Sequence, residues 1–307
     1  MDGILSAAAI LHIHPKARLS FVPSSSAAVD VIRRDIAQPL IVADLGLTPG
    51  LVRAMNDKSK TRQSVLFLDH HQQSTRGIDA LSLAVTPVVA EGASATSVVL
   101  DHFGIEHLSH LGAVADVVEF CSSPHLSATR RSVGRKRIAR EARAMDYAWR
   151  YQVEDDRFRV RSAQALSLGM WPTEVPEVQR RFLIVHNENR YERALERAHE
   201  RMRIRGHVAI LDFGKRKPSL LGFGTRALSA AAQQQGAQVA VLVNRRSRLS
   251  SVSLRGFEPE PNLGLFVEQF TQRHGLVGGG HPSSAGARIH TRDLPLFLDS
   301  LVELAAA

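Results

Sequence analysis

A single cysteine, Cys121, occurs among the 307 residues. That excludes an internal disulfide and a zinc site built on several thiolates, and it suits a reducing, cytoplasmic setting. No apolar run approaches the roughly 20 residues that a helix needs to cross a bilayer. No signal-peptide pattern opens the chain, because Met1-Asp2 is acidic and the Ala-rich run behind it lacks a basic start. Acids are in deficit: 30 Asp and Glu stand against 39 Lys and Arg, a net charge of +9. Such an excess points to a polyanionic partner. With 44% hydrophobic residues the chain has ample material for a buried core, and its length suits two domains.

What the chain does have is a repeated pattern of apolar runs that end in acids. Ser64-Val65-Leu66-Phe67-Leu68 reads as a buried strand and empties into Asp69-His70-His71. In open α/β sheets, ligands bind beyond the carboxyl ends of the strands. Pro39-Leu40-Ile41-Val42-Ala43 repeats the pattern and ends in Asp44, after which Thr48 and Pro49 read as the N-cap and first residue of a helix. Asp2 stands at the start of an Ala-rich helical run, Ile4 to Leu11, and Leu111-Gly112-Ala113-Val114-Ala115 ends in Asp116. A lone aspartate in such a place is ordinarily a cap or turn residue. The weight comes from the recurrence within the first half of one chain. Asp2, Asp44, His70 and Asp116 make an oxygen-rich donor set with one imidazole, which suits Mn²⁺ or Mg²⁺ better than Zn²⁺ or copper.

These residues resemble the DHH phosphoesterase superfamily. Asp2-Gly3 resembles the end of its first motif, a strand closing in His-x-x-x-Asp-x-Asp-Gly. Asp44 resembles the second motif, Asp69-His70-His71 the third and Asp116 the fourth. Gly92-Ala93-Ser94-Ala95-Thr96-Ser97 resembles the small-residue helix start between the last two. Downstream, Gly278-Gly279-Gly280-His281-Pro282-Ser283-Ser284-Ala285-Gly286 resembles the Gly-Gly-Gly-His-x-x-Ala-Ala-Gly signature of the DHH-associated domain. Ser251-Val252-Ser253-Leu254-Arg255 resembles the strand before it, which carries a phosphate-binding arginine. A glycine triplet permits close backbone approach and presents N–H groups to an anion. The resemblance covers most of the chain except roughly residues 122–205.

The resemblance implies metal-dependent phosphodiester hydrolysis with two Mn²⁺ or Mg²⁺ ions in the complete family site. Asp2, Asp44, His70 and Asp116 would hold one ion, with Asp44 bridging to the other and His71 near the scissile phosphate. Arg255, Gly278, Gly279, Gly280 and His281 would bind the substrate. The first strand, its His and its first Asp have no counterpart before Met1, so the expectation is an upstream start or cut, or a natural loss, and a poorly active 307-residue form. Among family activities the leaning is to a RecJ-like exonuclease on single-stranded DNA or RNA. Alternatives are a nano-RNase or 3′-phosphoadenosine phosphate phosphatase, and a cyclic-dinucleotide phosphodiesterase. A rival of another class is a non-catalytic replication or repair scaffold with a degraded site. The expected partners are single strands or short oligonucleotides, a second copy of the chain, or replication and repair proteins, with no membrane.

The expected fold class is α/β. A parallel-sheet DHH domain over 1–121 leads through a basic helical connector, 122–205, to a smaller mixed α/β DHH-associated domain over 206–307. In the first domain the pattern predicts a short strand near Arg18 to Val22, a helix near Ala27 to Ile36, and helices near Ala93–Phe103 and Leu108–Phe120. His12 and His14 read as helix-end residues. Arg130, Arg131, Arg135, Lys136, Arg137, Arg140 and Arg143 cluster, with Tyr147, Trp149 and Tyr151 close behind. Such a cluster suits phosphates with stacked bases, or a solvated amphipathic helix whose aromatics face the core. A second basic group, Arg245, Arg246 and Arg248, sits in a predicted hairpin turn near Arg255, a position that favours substrate contact.

Overall fold

The computed structural model describes residues 1–34, 39–60, 64–213, 221–258 and 260–306. The chain divides into two compact units, Met1–Ile184 and Val185–Ala307. The first holds α1 (Asp2–Ile13), α2 (Ser25–Arg34), β1 (Leu40–Ala43), α3 (Pro49–Lys60), β2 (Val65–Asp69), α4 (Gln72–Gly77) and β3 (Val85–Val89). After these come α5 (Ala95–Phe103), α6 (Ser109–Glu119), α7 (Pro124–Val133), α8 (Arg135–Tyr151) and α9 (Asp156–Leu166). Helix α10 (Pro176–Asn187) crosses the division.

The three strands pair in parallel in the order β1-β2-β3, with Val42 opposite Phe67 and Leu68 opposite Val88. Parallel direction brings Asp44 and Asp69 out at one edge of the sheet. Their apolar composition fits burial on both faces. Helices α2 and α3 cover one face through Ile32, Leu51 and Met55. Helices α1, α5, α6, α8 and α9 build a larger core on the other. Helix α1 is buried at every position from Ile4 to Leu11, as expected of a helix with no polar face. Thr48 accepts from the N–H of Leu51 at 3.2 Å and starts α3 as its composition predicts.

The structure departs from the sequence pattern at one expected strand. Residues 17–22 form no strand. Instead Leu19 and Phe21 line a cavity of about 730 Å³ beside Ala7, Ile10 and the free side of β1. Helix α2 ends at Arg34 within the described residues, and the expected end at Ile36 lies outside them. The stretch expected as a connector is divided between the units. Ala144, Met145 and Ala148 of α8 and Phe158, Ala163 and Leu166 of α9 enter the same core as α1. The physical reason is that α1, buried at every position from Ile4 to Leu11, needs cover on every side, and the three-stranded sheet cannot give it.

The second unit holds α11 (Arg190–Arg201), β4 (Arg203–Arg205), β5 (Val208–Asp212), α12 (Leu221–Gln234), β6 (Val239–Asn244) and β7 (Leu249–Gly256). Then follow α13 (Leu263–Arg273), β8 (Gly278–His281), β9 (Ser284–His290) and α14 (Leu294–Ala306). Its sheet runs β4-β5-β6-β7-β9-β8; β5 and β6 are parallel and the other pairings antiparallel. The glycine triplet lies in strand β8. Its neighbour α13 comes so near that a Cβ on Gly264 would lie 2.5 Å from the Gly280 carbonyl oxygen. Gly280 itself has φ 152, and a Cβ there would lie 2.2 Å from the Ser284 carbonyl oxygen. Only glycine fits both positions.

Arg181 fastens the end of the first unit. It is buried, its guanidinium lies 4.0 Å over the Phe158 ring, and it pairs with Asp155 and with Glu177 at 3.1 Å. The Arg181 hydrogen bond holds the Asp155 carboxyl below the usual carboxylate range. Asp155 also caps α9, accepting from the N–H of Phe158 at 3.1 Å. A depressed carboxyl stabilises the fold above its unfolded pKa, and the contribution fades as pH falls through the folded one. Asp155→Asn is therefore expected to cost about 2 kcal/mol near neutrality, with the gap from wild type closing in acid. Denaturant unfolding at both pH values checks this; equal stability at neutral pH would remove Arg181–Asp155 as a fastening.

Candidate metal centre

The site forms where β1 and β2 end. Asp44 follows β1 directly and holds φ 57, the left-handed region that a non-glycine residue rarely enters. That turn leaves Gly3 beside its carboxylate: a Cβ there would lie 3.2 Å from Asp44 Oδ2. Asp69 closes β2, and His70 and His71 lead into α4. Asp2 opens α1, and Asp116 lies near the end of α6.

His70 is fixed by its Nδ1, which donates to the Ala93 carbonyl at 2.8 Å. Its Nε2 then points at two carboxylates, Asp44 Oδ1 at 3.6 Å and Asp2 Oδ2 at 3.8 Å. An imidazole anchored to the backbone through one nitrogen, with the other turned to carboxylates, is the usual posture of a metal-binding histidine. Burial opposes the charged form of His70. The Asp44 hydrogen bond, the nearby Cys121 and the Asp2 charge outweigh it and push the imidazole up to about 12. Burial, followed by the charge of Asp44, pushes the Asp2 carboxyl up to about 7 against the pull of His70. Two carboxylates and an imidazole so arranged lack positive charge between them, and a proton on His70 supplies it. The donor set fits a hard divalent cation in that proton's place.

His71 is oriented differently. Its Nδ1 donates to Asp69 Oδ1 at 2.8 Å, and its ring stands edge-on to His70 with centroids 4.7 Å apart. Asp69 is fully buried and also accepts from the Ser74 hydroxyl. Burial opposes the charge of both partners, yet their attraction lowers the Asp69 pKa and raises that of His71. Asp69 therefore positions His71. Ligand atoms of Asp44, Asp69, His70 and His71 lie within 4.8 Å of one another.

The other two acids are held by the N-terminus of α5. Asp2 accepts from the N–H of Ala95 at 2.7 Å and of Thr96 at 3.0 Å. Asp116 accepts from the Ser94 N–H at 2.9 Å, the Ser94 hydroxyl at 2.7 Å, the Ser97 hydroxyl at 3.1 Å and the Ser123 hydroxyl. So the structure brings Asp2, Asp44, His70 and His71 together directly, and surrounds Asp116 with serines beside them. The sequence pattern marked Gly92–Ser97 as a helix start but did not assign its hydroxyls. Cys121, expected as a small buried hydrophobe, is half-buried and lies against His70.

In the second unit Arg255 pairs with Ser284 across β7 and β9, and His281 pairs with Ser284 across β8 and β9. Directly paired residues share a sheet face, so Arg255, Ser284 and His281 form one row. The face is opposite to that of buried Val252 and Leu254. Arg245 bonds Asp212 at 2.7 Å, which ties the second basic group into the fold.

Residues 225–307 match the DHHA1 domain family. None of the curated protein sequences matches the chain. Among solved structures, the DHH domain of a member of the s1p family of ribosomal proteins is similar at a TM-score of 0.64 with 14% identity, over 99% of this chain and 84% of that one. RecJ from Thermus thermophilus in complex with Mn²⁺ is similar at 0.61 with 15% identity, over 99% of this chain and 50% of that one. A pGpG-specific phosphodiesterase, PggH from Vibrio cholerae, is similar at 0.56 with 13% identity, over 99% and 96%.

If the serines around Asp116 are structural anchors, Asp116→Asn leaves the Ser94 N–H facing an amide donor or costs the cage an acceptor. We expect a loss of about 3 kcal/mol even in excess chelator. Chelated variant and wild type are compared by denaturant unfolding; no difference would leave the cage without a structural role.

Proposed function

We propose that this chain, which joins a DHH-type fold to a C-terminal DHHA1 domain, hydrolyses phosphodiesters with divalent cations, and that its substrate is single-stranded nucleic acid. The observation that carries this is the convergence of His70 Nε2 on Asp44 and Asp2 at the carboxyl ends of the sheet. We assign Asp2, Asp44 and His70 to hold the cation, with Asp116 beside them. Mn²⁺ or Mg²⁺, two ions in the full arrangement, would lower the pKa of a bound water and neutralise phosphate charge. A reducing, cytoplasmic setting belongs to the same reading.

The chain's own residues do the positioning. Asp44, whose ligand atoms lie within 4.8 Å of those of His70 and His71, would be the carboxylate shared between the cations. His71, kept oriented by Asp69, offers its Nε2 side to the phosphate as a charged hydrogen-bond donor. Arg255 and His281 in the second unit are assigned to the substrate's phosphate, with Gly278, Gly279 and Gly280 allowing the backbone to lie close. Single-stranded polymer is favoured over a dinucleotide by Arg130, Arg131, Arg135, Lys136 and Arg143 of α7 and α8, which are exposed and have no ion pair among the described residues. The second reading, a dinucleotide phosphodiesterase, is favoured by the full-length match in size to PggH.

The test is cleavage of a labelled single strand and of a dinucleotide with Mn²⁺ supplied. Asp44→Ala and His70→Ala are each expected to lower kcat by about 10²-fold or more, and Arg255→Ala chiefly to raise KM. Metal-independent cleavage, or full activity in both site variants, would overturn the assignment.

A further inference from the structure

The positive charge of the first unit is unevenly placed. Between residues 122 and 153 the acids are Glu141 and Asp146, and both are fully buried. Glu141 accepts from the Thr173 N–H and hydroxyl, each at 2.8 Å, and Asp146 accepts from Arg150 at 2.8 Å. On the outside, Arg130, Arg131, Arg135, Lys136 and Arg143 are exposed, and none of them has an ion pair among the described residues. Elsewhere in the same unit Arg159, Arg161, Arg180 and Arg181 each sit against an acid. Lys136 and Arg143, seven apart, stand on one face of α8. The aromatics behind them turn inward: Tyr147 meets Phe182 with centroids 6.0 Å apart, and Trp149 packs on the core. No large apolar side chain is exposed along this stretch, so it lacks what an interfacial helix inserts into lipid.

One exposed ring does stand near the metal centre. Phe120 ends α6 with 89% of its surface exposed. Its φ is 57, a left-handed conformation where glycine is the usual residue. The next residue, Cys121, touches His70 and donates its N–H to the Asp116 carbonyl at 2.8 Å. Ser123 bonds the Asp116 carboxylate and caps α7. A costly, solvent-facing aromatic thus sits between the acid cluster and the basic helices.

We propose that Phe120 and the exposed basic face of α7 and α8 form a track for single-stranded nucleic acid. The ring stacks on an unpaired base beside the reacting phosphate, and the arginines and Lys136 follow the backbone phosphates. Helices of this length span about 15 and about 25 Å, enough for several nucleotides. The inference rests on the hydrolase reading and extends it to how a long substrate is held.

The experiment compares wild type with Arg131→Ala/Arg135→Ala/Lys136→Ala/Arg143→Ala and with Phe120→Gly. It uses a fluorescent single strand of about 20 nucleotides and a dinucleotide. The fourfold variant should bind the long strand about tenfold or more weakly, with a shallower dependence on salt, while dinucleotide cleavage stays within about twofold. Phe120→Gly should raise the melting temperature, because glycine relieves the left-handed strain, and yet weaken the long strand. The matching Arg→Lys variant, which keeps charge, should bind nearly as wild type. Unchanged long-strand affinity in the fourfold variant overturns the track, as does an equal loss for both lengths. Loss of binding to anionic vesicles, with strand binding intact, assigns the face to lipid instead. If wild type binds the long strand but cleaves neither substrate, the hydrolase reading fails and the track stands.

Discussion

The first unit depends on one helix end. Helix α5 starts at Ala95 with free N–H groups, as every helix does, and two buried carboxylates satisfy them. Asp2 takes the amides of Ala95 and Thr96, and Asp116 takes that of Ser94. The helix dipole adds positive character at that point. A buried carboxylate without such donors would cost several kcal/mol. Two acids from opposite ends of the unit's first 120 residues are thereby pinned to the same spot, and α1 and α6 are pinned with them. Small residues make this possible: a Cβ on Gly112 would lie 2.9 Å from the Ser97 hydroxyl.

That anchoring leaves a charge imbalance that the proposed cation would relieve. The amides of α5 do not reach Asp44, and His70 faces both Asp44 and Asp2. The carboxyl of Asp2 stays raised despite its hydrogen bonds, because burial and Asp44 oppose its charge. A fold that only wanted stability would place an apolar side chain at one of these positions. Left-handed Asp44 points the same way, since its strained backbone sets its carboxylate 3.6 Å from His70.

Much of this was legible in the sequence because strands that end in acids are visible without knowing the fold. Asp44, Asp69, His70 and the Thr48–Pro49 helix start all follow from apolar runs and punctuation. The clasp of serines was not legible, because Ser94, Ser97 and Ser123 look like any small helix-start residues until Asp116 is placed among them. The absent strand at residues 17–22 has another cause: its apolar alternation is real, but Leu19 and Phe21 face a cavity instead of a ladder. The arginine run was visible, whereas the burial of its acids was not, since a helix wheel cannot say that Glu141 bonds to Thr173.

The glycine triplet shows how a sequence signature can mark packing and chemistry at once. Gly278 and Gly280 are required by close approach to β9 and α13, since a Cβ on Gly278 would lie 2.6 Å from the Ala287 Cβ. Their intolerance of substitution would follow from the fold alone, even if no substrate ever bound. The proposed phosphate recognition therefore rests on side chains in the same sheet, the row Arg255–Ser284–His281. β8 is bare enough of side chains to pair with β9 as far as His281. A side chain at Gly278 or Gly280 would collide with β9 and break the alignment. Under the proposed reading the glycines would serve recognition by letting His281 stand in register with Arg255, which makes the structural and the chemical account of the motif a single account.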